Sequence, residues 1–172
     1  MADDRPLAEW VCLALIHEAP THGWAVARLL APNGDIGRVW SLSRPLTYRA
    51  IERLTADGLV RASGDAAGSG PRRTMLAATP LGRRAVRGWL RRPIGHLRDV
   101  RTELLCKLVL GERAGIDPQP LLDAQRRAFA PAFDTLAGQA RDRGADVVDR
   151  WRHASSQAVR RFLDQESRRR HR

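Results

Sequence analysis

The sequence predicts a mainly helical protein with a single two-stranded hairpin near its middle and a run of longer helices after it. Three observations carry this. Apolar residues recur at helical spacing over most of the chain. The period changes only once, between residues 59 and 79, where two short runs flank a Gly- and Ser-rich stretch. Beyond residue 99 the apolar residues of two segments fall seven apart, which argues for helices packed on helices.

The first helix is expected from about Pro6 to Glu18. Trp10, Val11, Ala14 and Leu15 recur at helical spacing, and Leu13 and Ile16 make the segment apolar nearly all round, as a buried helix requires. Ala19-Pro20 ends it. Thr21 is a candidate cap for a short second helix, "HGWAVARLL", with Val26, Leu29 and Leu30 inward. "APNGDIG" follows as a loop with an Asn-Gly turn.

The third helix starts at Ser43, a good N-cap, with Pro45 in the first turn where no amide is required. A step of 100° per residue puts Leu46, Thr47, Ala50, Ile51 and Leu54 on one side. Pro45, Tyr48, Arg49 and Glu52 centre the other side, flanked by Arg44 and Arg53. Gly58 is a natural stop. "LVRA" and "TMLAAT" are the two strands, separated by "SGDAAGSGPRR". Thr79-Pro80 restarts a helix whose stripe is Leu81, Ala85, Val86, Trp89 and Leu90. "DVRTELLCKLVLG" reads as one helix with Leu104, Leu105 and Leu108 inward and Gly111 after it. Asp117-Pro118 opens another, with Leu122, Phe129 and Leu136 seven apart, Phe133 and Ala140 beside them, and Pro131 expected to kink or split it. A last helix from Ala145 carries Val148, Ser155 and Phe162, with Trp151 and Ala158 alongside. The expected domains are 1–92 and 93–172, the second ending in a frayed tail.

The chain has 172 residues with 30 Lys plus Arg against 19 Asp plus Glu, a formal charge of +11. The charge is uneven: residues 38–92 hold 12 arginines and three acids, whereas the first 37 residues are net acidic. Such a balance favours a polyanionic partner, and guanidinium forks suit phosphates and guanine edges. Cys12 and Cys106 each sit in an apolar run and are expected as buried free thiols, in a soluble, cytoplasmic protein. "MADDRP" is acidic where a signal peptide needs basic charge, and "WVCLALI" is too short to span a membrane. No phosphate-loop, zinc-protease, Cys-x-x-Cys or nucleophile-elbow pattern is present, and the five histidines lack metal spacing. Neither an enzyme nor a cofactor is expected.

Helix, helix, turn, helix, hairpin, helix is the order of a winged helix-turn-helix, in which the third helix enters the major groove. "HEAPTHGWAVARLL", "WSLSRPLTYRAIERLTADGLV" and "GPRRTMLAATPLGRRAV" resemble the PadR family of transcriptional regulators. The match falls on His22-Gly23-Trp24, on Leu42-Ser43 with Tyr48, on Leu54 to Val60, and on Pro71-Arg72-Arg73 with Thr79 to Arg83. "HLRDVRTELLCKLVL" resembles the start of that family's helical dimerisation domain. The likeness spans roughly residues 7 to 165. It departs where the family often has Gly-Thr-Leu-Tyr-Pro and this chain has Pro45-Leu46-Thr47-Tyr48-Arg49, so no base preference carries over.

The resemblance implies a homodimeric DNA-binding regulator, a repressor on an inverted-repeat operator in double-stranded DNA, with no membrane role. Expected DNA contacts are Ser41, Ser43, Arg44, Thr47, Tyr48, Arg49 and Arg53 on the third helix, and Arg72 and Arg73 in the wing. The ordinary alternative for the helix is a solvated face on which Arg49 pairs with Glu52 or Arg53 with Asp57. Leu104, Leu105, Leu108, Phe129, Phe133, Leu136, Val148, Trp151 and Phe162 are the expected dimer interface. His22 is expected to be structural. Relatives that bind a small aromatic effector near the dimer interface make such a ligand an expectation here, with one of the five tryptophans lining its pocket. A non-specific nucleic-acid-binding protein and a protein-interaction adaptor are the competing functions.

Overall fold

A computed structural model describes residues 5–65 and 74–169. Seven α-helices are assigned there: α1 Leu7–Glu18, α2 Gly23–Leu29, α3 Arg44–Ala56, α4 Pro80–Arg91, α5 Glu103–Arg113, α6 Gln119–Arg141 and α7 Val147–Arg169. Strands β1 Val60–Asp65 and β2 Thr74–Ala78 lie between α3 and α4, and a short 3-10 helix covers Leu97–Arg101. Residues up to Leu90 pack with Leu105–Ile116 as one compact unit. Arg91–Leu104 and Asp117 onward form a second.

The first unit is built around α1. Trp10 to Ile16 are all buried, so the helix needs cover on every side. Helices α2 and α3 and strand β2 supply part of it, and Val86, Trp89, Cys106 and Leu110 from α4 and α5 join the same core. Trp10 stacks flat on Trp89 at 5.6 Å between ring centroids. Arg5 lies over the Trp10 ring at 5.8 Å and the ammonium of Lys107 over Trp89 at 5.1 Å, so a cation caps each end of the stack. Burial pushes the Cys12 thiol up to about 12, with Glu9 adding to the shift, so the thiol stays neutral and acts as a small apolar side chain. The Arg113 guanidinium forks onto Glu18 at 2.8 and 2.9 Å and ties α5 to the end of α1.

β1 and β2 pair antiparallel, Val60 with Ala78 and Ala62 with Leu76, and the register slips before Asp65 pairs with Thr74. Thr21 adds a one-residue third strand. It exchanges two backbone hydrogen bonds with Leu76, at 3.0 and 2.6 Å. This corrects the expected cap of α2: Thr21 is held extended by the sheet, and the next residue caps instead. The Nδ1 of His22 accepts from the Ala25 amide at 3.1 Å.

Gly58 leaves α3 at a φ of +68°, where a residue with a Cβ would be strained, and Thr79 closes the turn. Its hydroxyl donates to the Gly58 carbonyl at 2.7 Å and accepts from the Gly82 amide at 3.1 Å, so one side chain links the exit of α3 to the start of α4. The stripe of α4 differs from expectation in its first member. Leu81 is half exposed, and the buried positions are Gly82, Val86, Trp89 and Leu90. A Cβ on Gly82 would stand 2.1 Å from the Leu59 carbonyl oxygen, so the missing side chain is what lets α4 reach the wing strand. Leu46 likewise leaves the expected inner stripe of α3 and is half exposed. It sits at the margin of the buried arc formed by Thr47, Ala50, Ile51 and Leu54.

The second unit pairs α6 with α7. Leu121, Leu122, Phe129, Phe133 and Leu163 are buried there, with Phe129 and Phe133 edge to face at 5.9 Å. Arg126 meets Asp164 across the pair at 3.0 Å. The buried Gln125 side chain accepts from the Ile94 amide and donates to the Ile94 carbonyl, at 2.7 and 3.0 Å, which pins the connector onto α6. Helix α6 runs unbroken through Pro131. The helix expected over "DVRTELLCKLVLG" divides at Thr102 into the 3-10 turn and α5, and Gly111 lies inside α5 rather than beyond it.

Two glycines on α4 test the close approach. Gly82→Ala should destabilise by about 1–3 kcal/mol, because backbone must move to admit the methyl group. Gly88→Ala, whose Cβ would meet nothing within 4 Å, should stabilise by about 0.5–1 kcal/mol through helix propensity. Urea denaturation of both variants reads the opposite signs; equal effects would refute the packing at Gly82.

Candidate nucleic-acid interface

Helix α3 forms because its N-terminus is well specified. Ser43 holds the N-cap position with extended backbone, and Pro45 occupies the first turn. The Ser43 side chain makes no capping bond. Its carbonyl does the work instead, accepting from the Thr47 amide and the Thr47 hydroxyl, both at 3.0 Å. Thr47 is therefore on the inner side, fully buried. Ala50, Ile51 and Leu54 continue that side against α1 and α2.

The outer side carries Ser41, Ser43, Arg44, Tyr48, Arg49 and Arg53, all exposed. The two arginines nearest its centre and its end differ in what they touch. Arg53 does not pair with Asp57. It reaches Glu9 of α1 at 3.4 Å, and Arg5 takes the other oxygen of Glu9 at 2.5 Å and Asp57 at 2.8 Å. Glu9 is only 5% exposed, and a buried carboxylate needs such partners. Arg53 thus anchors α3 to α1. Arg49 has no ion pair or hydrogen bond among the described residues, and Glu52 beside it is exposed as well. The solvated-face reading offered Arg49 with Glu52 or Arg53 with Asp57; neither pair forms among the described residues.

Tyr48 is positioned by α2. A Cβ on Gly23 would lie 2.8 Å from Tyr48 Cε1, so the phenol ring rests against the backbone at the start of α2. Arg44 stands over the same ring, 5.8 Å from its centroid. The His-Gly-Trp sequence now has two local reasons: His22 caps the helix, and Gly23 makes room for Tyr48. Arg72 and Arg73 of the wing lie outside the described residues.

Two residues of α2 share this surface and were not among the expected contacts. Trp24 and Arg28 are exposed, with the Arg28 guanidinium over the indole at 5.2 Å. The spacing of four on a short basic-ended helix was a weak signal, because periodicity alone cannot say which side of α2 borders α3.

Of the expected dimer residues, Leu104, Phe129 and Phe133 are buried within the chain. Leu105, Leu108, Leu136 and Phe162 are half-buried, and Val148 and Trp151 are exposed, Trp151 at 71%. On α7 the side facing inward is Ser156, Leu163 and Ser167, one residue along from the heptad of Val148, Ser155 and Phe162. The apolar repeat read from the sequence thus leaves an open face.

Three helices, a β-bridge after α1 and a two-stranded hairpin after α3 make the first unit a winged helix-turn-helix, and a helical unit follows it. In fold the chain is similar to PadR of Bacillus subtilis. It matches the crystal structure of that protein in complex with operator DNA at 16% identity and a TM-score of 0.47, over 94% of this chain and 98% of that one. It matches the complex of the same protein with p-coumaric acid at 15% identity and a TM-score of 0.46, over 94% and 97%. No family model matches the sequence, and no curated protein is detectably similar. Among the described residues no helix is long and apolar enough to cross a membrane.

The different roles of the two arginines can be separated by stability. Glu9→Gln removes the charge that Arg5 and Arg53 share and should cost about 1–3 kcal/mol. Arg49→Ala should stay within about 0.5 kcal/mol of the parent chain. Chemical denaturation measures both; a loss of stability in Arg49→Ala would show that Arg49 is structural.

Proposed function

We propose that this chain is a DNA-binding transcriptional regulator of the PadR type, a homodimer that represses by occupying an inverted-repeat operator. The observation that carries the reading is Arg49. On a capped helix within the most basic third of the sequence, it keeps its charge unspent beside a Tyr48 ring braced from behind by Gly23. A side chain held ready at the first two turns of such a helix suits base edges and phosphates of a major groove. The excess of arginine over residues 38–92 supplies the sequence-independent part of the attraction. Arg44, Ser41 and Ser43 flank the same face, and Arg72 and Arg73 would add wing contacts to the neighbouring backbone. In this proposal residues 1–92 read DNA and residues 93–172 hold the dimer.

The open face of α7 supports the dimer. Val147, Val148 and Trp151 are at least half exposed in the single chain, and apolar side chains grouped in this way gain from cover by a second copy. Leu105, Leu108, Leu136 and Phe162 have surface left to contribute. A small aromatic effector belongs to the proposal as the signal that releases DNA, through the angle between the two reading heads.

Tyr48→Ala and Arg49→Ala should each weaken binding to a duplex recovered by binding-site selection, by roughly tenfold or more, and leave the oligomeric state unchanged. Unaltered affinity in both variants would reject α3 as the reading element. Equal affinity of the parent chain for the selected duplex and for random duplex would instead favour a non-specific nucleic-acid-binding protein. Trp151→Glu should turn the dimer into monomers in sedimentation analysis, since a carboxylate on that face would be buried without a partner. A dimer that survives the substitution would place the interface elsewhere.

A further inference from the structure

Beside the reading face, α2 and the start of α3 enclose an open pocket of about 260 Å³. Trp24, Pro32 and Leu42 give it apolar walls, and Arg28, Ser43 and Arg44 stand at its polar side. No acidic residue lines it. The two arginines come from different helices, and each is laid on a ring: Arg28 on Trp24 at 5.2 Å, Arg44 on Tyr48 at 5.8 Å. Neither makes an ion pair or a hydrogen bond among the described residues. A guanidinium held over a ring by cation–π attraction keeps its N–H donors unused. Two such groups beside one pocket, with no carboxylate to satisfy them, suit a single anion that accepts from both. The apolar walls exclude a bare hydrated ion as the best fit and favour an anion carried on a compact carbon framework.

We infer that this pocket clamps one sugar-phosphate unit of the DNA backbone. Arg28 and Arg44 hold the phosphodiester oxygens and the deoxyribose packs on Trp24 and Pro32. The clamp rests on the DNA-binding reading above and adds to it a fixed register: one phosphate gripped by both helices of the motif sets where Tyr48 and Arg49 fall along the groove. Trp24 and Arg28 are positioning residues here, since a phosphate carries no sequence information.

The test uses the full chain, a duplex recovered by binding-site selection, and random duplex of the same length. Arg28→Gln should weaken binding to both by the same factor, roughly tenfold, and flatten the dependence of log affinity on log salt by about one phosphate contact. A set of duplexes, each with one phosphate replaced by an uncharged methylphosphonate, then locates the contact. One position should weaken the parent chain markedly more than Arg28→Gln, which keeps only the Arg44 contact to that phosphate. Trp24→Ala should lower affinity at that same position while keeping the salt slope. An unchanged salt slope in Arg28→Gln overturns the clamp, and so does a loss of affinity that no single methylphosphonate reproduces. Saturating inorganic phosphate or an aromatic carboxylate that binds the free protein at millimolar levels, with loss of that binding in Arg28→Gln and no change in DNA affinity, assigns the pocket to a free ligand and overturns it too. If the parent chain binds no duplex at low salt, the DNA-binding reading itself falls, a result distinct from each of these.

Discussion

Helix α1 presents no polar side to water through its central turns, and the first unit is the means of covering it. Seven consecutive residues from Trp10 to Ile16 are buried, at roughly 1.5–3 kcal/mol for each large apolar side chain. No single partner helix can cover a full circumference. Helices α2 and α3 and β2 take part of the surface, and α4 and α5 close it through the Trp10–Trp89 stack and the Arg113–Glu18 fork. The placement of α3 follows from this. Ala50, Ile51 and Leu54 are drawn inward, and the opposite side of α3 is presented to solvent by necessity.

The electrostatics follow the same division. Glu9 is a charged residue on the buried helix, and it takes Arg5 and Arg53 for itself. A buried carboxylate is costly without such partners, so these arginines are committed to the fold. Arg49, Arg44 and Arg28 are not. Among the described residues of this surface, positive charge is therefore of two kinds, one that satisfies the buried Glu9 and one that faces outward with its donors unused. Composition counts both alike; only the second kind can meet a polyanion without weakening the protein.

The hairpin and α3 are joined by small residues at tight places. Gly58 turns the chain, Thr79 binds across the turn, and Gly82 lets α4 touch the Leu59 carbonyl. Gly23 does the same for Tyr48. At Gly82 and Gly23 a missing side chain sets the distance between two elements; at Gly58 it permits the backbone turn.

The order of elements was legible in the sequence, because apolar period, caps and turn residues are local properties. Helices α1, α2, α3 and α4, the second strand, the stop at Gly58 and the start at Thr79 stand where the residues put them, while β1 runs on to Asp65, into the stretch read as loop. The exposed face of Tyr48 and Arg49 was legible too, as the opposite of an apolar stripe. What the sequence could not decide were choices among neighbours of similar local merit. Thr21 or His22 could cap α2, and pairing of Thr21 with Leu76 settled it. Leu81 or Gly82 could begin the stripe of α4, and the approach to Leu59 settled it. Arg53 could serve Asp57 or Glu9, and the burial of Glu9 settled it. On α7 the heptad marked an apolar face without saying whether it met α6 or the outside, and Leu163 took the inner place one residue along. Local sequence determines which residues want burial or caps. Which of two candidates obtains it depends on a partner distant in the chain, and only the tertiary structure brings that partner near.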